Sequence, residues 1–437
     1  MHTWPPGGTQ ASLAQWLAWQ EALHPQKIDL SLERIRCVAE RMALLSAPYP
    51  IITVAGTNGK GSTVALLDAI YRAAGWRVGL YTSPHLLRYN ERVRLNGIPV
   101  SDAQLCEAFI AINTARQEIS LSYFEFATLA ALWIFQRAGL DVVVLEVGLG
   151  GRLDAVNLLD ADVAVLTTVA LDHEHFLGRG REAIGREKAG IFRPLRPVVC
   201  GEADPPASVL AWADALKAPL YLRQRDFHAQ PLADGRWIFH GPQGERGPLP
   251  RPALRGTFQY ANAAASVMAV ELLQARLPVG AAALAQGLAQ VTLAGRFERL
   301  RGDPEVIIDV AHNPQAAEAL AGLLREYPGR GRTLAVMAMM ADKDIDGVLH
   351  ALHPFMDAWY LGDLTLERAL PAQQFAQYLG AAGVTDIYCH NTLLKAYQQA
   401  LSDARPADRI VVTGSFYTVA EILAAAPDGA RQTPIQT

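Results

Sequence analysis

A β-branched run, Ile51-Ile52-Thr53-Val54-Ala55, ends in Gly56-Thr57-Asn58-Gly59-Lys60-Gly61-Ser62-Thr63 and opens a helix-compatible segment, Val64 to Ala74. A strand, a glycine-rich turn and a helix start in that order make a cradle for an anion. Glycines let backbone N–H groups close on phosphate oxygens, and the helix dipole favours negative charge. Lys60 adds a point charge, and Ser62 or Thr63 can reach Mg²⁺. The spacing is G-x-x-G-K-G-[ST]; Val54 stands where the common G-x-x-x-x-G-K-[ST] would have its first glycine. A turn that is merely rich in glycine and happens to contain a lysine is the alternative, and the flanking strand and helix weigh against it. The loop implies a nucleoside triphosphate ligand.

At 437 residues the chain is too long for one ordinary core, so two or three domains are expected. With 51% hydrophobic residues and a formal net charge of −4, it lacks both the signature of disorder and the overall basic field of a nucleic-acid binder. Cys37, Cys106, Cys200 and Cys389 lie far apart with no C-x-x-C pairing and read as reduced thiols. The N-terminus lacks the basic and apolar regions of a signal peptide, and no apolar run is long enough to span a membrane. A cytoplasmic monomer is expected.

The first half alternates short strands with helices. Strand candidates are Ile51–Ala55, Arg77–Tyr81, Asp141–Val147, Val163–Thr168 and Pro197–Cys200, with helical patterns between them. Such alternation predicts a mostly parallel sheet covered on both faces. Between Arg223 and Gly256 the texture changes to Gly, Pro, Arg and short alternating segments, which predicts a β-ribbon or loop insertion. An Ala-rich helical stretch follows, from about Gln259 to Gln290, broken at Gly280. A second alternation begins after Gly295, with strands at Val306–Asp309, Thr333–Met337, Ala358–Leu361, Asp386–Tyr388 and Arg409–Thr413. The fold class is therefore α/β. A phosphate-loop domain over residues 1–294 precedes a smaller Rossmann-like domain over 295–437. The last ten residues, rich in Gln, Thr and Pro, read as a frayed tail.

Ligands of open α/β sheets bind outside the carboxyl ends of the strands. Thr82-Ser83-Pro84-His85, Glu146 and Asp172-His173 all follow strand candidates and should share one edge with the phosphate loop. Ser83, Glu146 and His173 offer an alcohol, a carboxylate and an imidazole to a metal ion. Glu146 ends an apolar strand, where a buried carboxylate needs a partner, either a metal or an ion pair with Arg152. Lys188, in Glu187-Lys188-Ala189-Gly190, reads by itself as a solvated or paired helix lysine. In the second unit, Asp309-Val310-Ala311-His312-Asn313-Pro314 repeats the strand-then-polar-turn arrangement, with Pro314 suited to a first helical turn. Arg296 can reach a terminal phosphate or form an interdomain salt bridge. Lys343 and Ser415 can line a cleft or be, respectively, a solvated lysine and a helix N-cap.

Together these motifs resemble the folylpolyglutamate synthase and dihydrofolate synthase family within the ATP-dependent Mur ligase superfamily. The resemblance runs from Ile28 to about Leu423, and Glu91-Arg92 and Gly148-Leu149-Gly150-Gly151-Arg152-Leu153-Asp154 add to it. It implies a Mur-ligase-type central domain with a C-terminal ligase domain. It also implies that Thr57, Asn58, Gly59 and Lys60 hold ATP phosphates, that Gly61 and Ser62 bind ATP, and that Ser83, Glu146 and His173, with Ser62, serve two Mg²⁺ ions. By the same resemblance Lys188 carries a carbamate that supports the metal, and Asn262, Arg296 and Asp309 contact ATP from the linker and second domain. Ile28-Asp29-Leu30, Ser122-Tyr123-Phe124-Glu125 and Leu153-Asp154-Ala155 correspond to dihydropteroate-binding segments.

The implied reaction activates a pteroate or folate carboxylate with ATP, and the amine of L-glutamate then displaces phosphate. Lys60, Lys188, Arg296 and His312 are the residues expected to take part, with domain closure bringing Arg296 and His312 inward. A synthase that only lengthens glutamate tails is the first alternative. A cell-wall Mur ligase would place a nucleotide-sugar domain before the phosphate loop, and only 55 residues precede Gly56. A regulatory P-loop ATPase would leave Asp309 and His312 unexplained.

Overall fold

The computed structural model describes residues 3–300 and 302–425, so the Gln/Thr/Pro tail lies outside the described residues. Eight strands form the first sheet. They are β1 (Ile51–Ala55), β2 (Val78–Tyr81), β3 (Val93–Leu95), β4 (Ile98–Pro99), β5 (Val142–Glu146), β6 (Val163–Leu166), β7 (Val198–Cys200) and β8 (Leu220–Leu222). Their order is β4-β3-β2-β5-β1-β6-β7-β8, parallel from β2 through β8, with the β3–β4 hairpin antiparallel at one edge. Every residue of β1, β2, β5 and β6 is buried, as expected for runs covered on both faces by crossover helices. Val143 and Leu145 of β5 pack with Phe109, Phe126 and Phe135 in one cluster. Leu166 and Val198 pack with Ile184 and Val209 in another. Burying a side chain of this size stabilises the fold by roughly 1.5–3 kcal/mol, so these two clusters hold the strand ends in place.

The predicted insertion is a separate three-stranded antiparallel sheet. Its strands are β9 (His228–Pro231), β10 (Trp237–Gly241) and β11 (Gly244–Leu249), in the order β11-β10-β9. Trp237 is fully buried, and its indole N–H donates to the Pro250 carbonyl at 2.9 Å. The Ala-rich stretch forms helices Phe258–Leu272 and Ala281–Gln290, with Gly280 as the N-cap of the second.

The last sheet contains β12 (Glu298–Leu300), β13 (Glu305–Ile308), β14 (Thr333–Met337), β15 (Ala358–Gly362), β16 (Ile387–His390) and β17 (Arg409–Thr413). Its order is β12-β13-β17-β14-β15-β16, parallel except for the edge strand β12. The chain divides into two compact units. The first runs to Pro252 and resumes over Tyr260–Val291; the second takes Ala253–Gln259 and the chain from Thr292 onward. The chain thus crosses between units more than once. Helix Phe258–Leu272 carries Asn262 in the first unit.

Candidate active site

The phosphate loop leaves β1 at Gly56 and enters helix Lys60–Ala73 through Gly59, its N-cap, at φ 85°. A side chain at Gly59 would be strained by that left-handed conformation, and its Cβ would meet Asn262 Oδ1 at 2.7 Å. At Gly56 a Cβ would lie 1.8 Å from Thr167 Oγ1. The loop is thus shaped by what surrounds it. The turn after β6 holds it: Thr57 N–H donates to Thr168 O at 2.8 Å, Asn58 N–H to Thr168 Oγ1 at 3.0 Å, and Thr167 Oγ1 to Asn58 O at 2.6 Å. Thr57 Oγ1 donates to Ala170 O at 3.1 Å. Lys60 Nζ folds back over the loop and donates to the carbonyls of Gly56 and Thr57 at 3.0 and 3.1 Å.

The strand order β2-β5-β1-β6 sets four carboxyl ends side by side, at about 4.8 Å per strand. From β2 comes Ser83, from β5 Glu146, from β1 the phosphate loop, and from β6 the turn that reaches His173. Glu146 is buried, and its Oε2 accepts the Ser83 N–H at 3.3 Å. Arg152 does not pair with it; that guanidinium lies 2.9 Å from Glu187 Oε1. His173 adopts φ 54°, the left-handed region, and is the N-cap of helix Glu174–Leu177. Its Nε2 lies 3.8 Å from Asp172 Oδ1. Among the described residues no group of three or more His, Cys, Asp and Glu side chains gathers as a metal cage. Mg²⁺ commonly takes one or two protein oxygens and completes its shell with phosphate oxygens and water. The Ser83–Glu146 pair beside a phosphate loop fits that use.

Lys188 is not the surface lysine that its helix position suggests. It is buried, and its Nζ donates to Gly56 O at 3.1 Å, the carbonyl that Lys60 Nζ also reaches. Burial, reinforced by the charge of Lys60, lowers its pKa to about 7. Its turn is clasped to the glycine loop after β5. Arg152 N–H donates to Glu187 O at 2.8 Å, and Asn157 Nδ2 donates to the Arg152 and Gly190 carbonyls, both at 3.0 Å. A Cβ at Gly190 would lie 2.3 Å from Arg152 Cβ, and one at Gly151 2.8 Å from the carbonyls of Glu187 and Lys188. These glycines are required by backbone meeting backbone. Asp154 closes the same loop. Its Oδ2 accepts the N–H groups of Gly148 and Leu149, and its Oδ1 accepts that of Val156. Full burial pushes its carboxyl up to about 6 despite those three bonds.

The three segments matched to dihydropteroate binding meet in the first unit. Ser122 and Glu125 form a capping box at the start of helix Tyr123–Arg137. A Cβ at Gly148 would lie 2.7 Å from Phe124 Cζ, so that ring sits directly on the loop leading to Leu153, Asp154 and Ala155. Arg34 joins Asp29, between Ile28 and Leu30, to Glu125. Tyr123 stacks under the Arg92 guanidinium at 5.5 Å, and Arg92 Nε donates to His85 Nδ1 at 2.9 Å. His85 is thereby held neutral; burial, then the Arg92 charge, lowers its pKa to about 4.

In the second unit the turn after β13 is built by Asp309, whose Oδ2 accepts the Phe297 N–H at 2.9 Å and Oδ1 that of Ala311 at 2.8 Å. Burial raises its pKa, and Arg296 opposes the rise. Arg296 lies over the Phe416 ring at 5.2 Å, and His312, whose Nδ1 is 2.9 Å from Val310 O, packs on the same ring. Asn313 caps helix Pro314–Glu326 with Pro314 in its first turn. Ser415 accepts the Thr418 N–H at 3.0 Å, the N-cap alternative.

The sequence matches the model of the Mur ligase middle domain over residues 54–270 and that of the Mur ligase glutamate ligase domain over 295–416. It is 44% identical over 411 residues to the dihydrofolate synthase/folylpolyglutamate synthase of Escherichia coli K12, covering 94% of each chain. The chain belongs to the dihydrofolate synthase/folylpolyglutamate synthase family of Mur ligases. Among solved members of the family, Escherichia coli FolC in complex with DHPP and ADP superposes with TM-score 0.90 at 44% identity, covering 95% of this chain and 98% of that one. A bifunctional folylpolyglutamate synthase/dihydrofolate synthase with Mn, AMPPNP and L-glutamate bound gives TM-score 0.88 at 44% identity, with the same coverage. Thr167 and Thr168, which hold the phosphate loop, stand outside the residues expected from sequence, although they end or follow a strand run as Ser83 and His85 do. His85 and Arg92 fall in expected motifs, but their mutual hydrogen bond emerges only in the fold.

Proposed function

We propose that this family member joins L-glutamate to dihydropteroate, forming dihydrofolate, and to the γ-carboxyl of folates, through an acyl phosphate made from ATP. The observation that carries the reading is the row of strand ends β2-β5-β1-β6, which gathers the phosphate loop, Ser83, Glu146 and the buried Lys188 at one edge. In the first step a carboxylate oxygen of the acceptor attacks the γ-phosphorus, and the bond to the β,γ-bridging oxygen breaks to release ADP. The glutamate amine then attacks the acyl carbon, loses a proton, and expels phosphate bearing the former carboxylate oxygen. An anion must approach a polyanion. Two unit charges 4 Å apart repel by about 4 kcal/mol at an effective dielectric of 20, so cations must offset that charge.

We assign Thr57–Ser62 and Asn262 to ATP, with Lys60 as a cation for its phosphates. In the second unit Arg296 and Asp309 are assigned to ATP, and His312 to catalysis. Ser83, Glu146 and His173, with Ser62, would hold two Mg²⁺ ions, which neutralise phosphate charge when bound. Lys188 would carry a carbamate, formed as its neutral amine adds to CO₂ and releases a proton; its lowered pKa supports that chemistry. Ile28–Leu30, Ser122–Glu125 and Leu153–Ala155 are assigned to dihydropteroate. A monomer in the cytoplasm completes the reading, the reducing compartment supported by four widely spaced cysteines.

The test is to incubate pure protein with ATP, Mg²⁺ and L-glutamate, adding dihydropteroate or a tetrahydrofolate, and to identify products by mass. Product from both acceptors is expected. Product from the folate alone would leave a tail-lengthening synthase and withdraw the dihydropteroate assignments.

A further inference from the structure

Two stretches of the first unit, His24 to Arg34 and Ser120 to Glu125, are joined at two points. His24 Nδ1 lies 2.9 Å from Ser120 Oγ, and its Nε2 lies 3.0 Å from Asp29 Oδ2. Arg34 donates from NH1 to the same Asp29 oxygen at 2.8 Å and from NH2 to the Asp29 carbonyl at 3.3 Å. That NH2 also lies 3.3 Å from Glu125 Oε1, while Glu125 Oε2 accepts the Ser122 N–H at 2.7 Å. The contacts close a ring through Ser120, His24, Asp29, Arg34, Glu125 and Ser122. The His24 and Glu125 side chains at the two ends are only 8% and 3% exposed and shielded from competing water, while Asp29 and Arg34 between them are 26% and 22% exposed.

The ring also sets which way Asp29 works. Both inward bonds fall on Oδ2, and Oδ1 has no hydrogen-bond partner among the described residues. Burial alone would raise the Asp29 carboxyl, but the His24 hydrogen bond and the Arg34 charge outweigh it and hold the group below its usual value. The result is an ionised acceptor with one oxygen committed and the other available, fixed against the capping box at Ser122–Glu125.

We infer that His24 and Arg34 are positioning residues for the acceptor substrate, locking Asp29 and the Ser122–Glu125 turn into one rigid set of hydrogen-bonding groups for a heterocycle rich in N–H donors. The inference rests on the reading that these two segments hold dihydropteroate. His24 and Arg34 act through Asp29 and Glu125, so their loss should weaken capture of the acceptor more than it slows the chemical steps.

The experiment is steady-state kinetics of the full chain as wild type, His24→Leu, His24→Gln, Arg34→Met and Asp29→Ala, with melting temperatures alongside. Losing a charge-assisted hydrogen bond corresponds to about tenfold or more in affinity. His24→Leu and Arg34→Met should raise the KM for dihydropteroate by about that factor, with kcat and the KM for ATP little changed. His24→Gln, whose amide nitrogen falls near the place of Nε2, should restore most of the loss. If Asp29→Ala raises that KM while His24→Leu and Arg34→Met do not, the positioning role is overturned and the substrate assignment survives. If Asp29→Ala also leaves it unchanged, the assignment falls and the inference with it. A parallel fall of kcat, both KM values and melting temperature would make the ring a support of the fold and overturn the inference.

Discussion

Replacing Lys188 by methionine keeps most of the side-chain volume and removes the titrating amine, so the effect on stability should depend on pH. The amine sits fully inside the first unit, beside a second ammonium at Lys60, and its pKa falls from 10.5 to about 7. That fall corresponds to about 5 kcal/mol of destabilisation by the charged form. Unfolding raises the pKa again, so the unfolded chain binds the extra proton between about pH 7 and 10.5 and wild-type stability rises with pH across that window. Below pH 7 both states are protonated and the cost is fully present. Lys188→Met should therefore be more stable than wild type at pH 6, and its advantage should shrink by about 2 kcal/mol at pH 8.5. Urea unfolding at the two pH values in CO₂-free buffer measures the difference, because groups beyond reach of the Lys188 charge titrate alike in the two proteins. Adding bicarbonate at pH 8.5 should stabilise wild type alone, by converting neutral amine to carbamate. A gap between the two proteins that is the same at pH 6 and 8.5 would refute the argument that burial neutralises Lys188.

Lys60→Ala should fold normally and lose about 10²–10³ in kcat, the scale of removing one positioned transition-state charge; wild-type turnover in a folded variant would end that assignment. Gly190→Ala should lower the melting temperature and activity together, since its Cβ would fall 2.3 Å from Arg152 Cβ and 2.5 Å from Arg152 Cα. A thermal melt that matches wild type would show that the clasp yields more easily than the contact implies. Stripping divalent metal with EDTA should stop turnover and excess Mg²⁺ or Mn²⁺ should restore it; steady turnover in chelator would remove the metal from the reading.

The strands were legible where β-branched runs end in glycine or a polar turn. Ile51–Ala55, Thr333–Met337 and Arg409–Thr413 form over the predicted residues, because a strand buried on both faces is written as an uninterrupted apolar run. Helix Leu13–Glu21 was not anticipated, although Ser12 and Gln15 carry the capping-box pattern and form it. The β3–β4 hairpin was also missed, although Asn96-Gly97 takes the positive φ pair that such turns demand. Strand-end position marks Ser83, Glu146 and His173 as candidates, and the strand order sets Ser83 and Glu146 at adjacent strand ends. It could not give the environment of Lys188, because burial of a helix lysine depends on the loop after β5 folding onto its turn, a contact distant in sequence. Asp154 shows a different limit, since its partners lie within six residues but depend on how the glycine loop curls around it. Its carboxylate is spent on three backbone N–H groups, which no local pattern announces.

A carboxylate activated by phosphorylation before glutamate is joined gives up one of its oxygens to the released phosphate. Dihydropteroate labelled with ¹⁸O in its carboxylate, incubated with the enzyme, ATP, Mg²⁺ and L-glutamate, tests it in one experiment read by mass spectrometry of the released phosphate. One labelled oxygen should pass to phosphate for each glutamate joined. Dihydrofolate formed with unlabelled phosphate would contradict it.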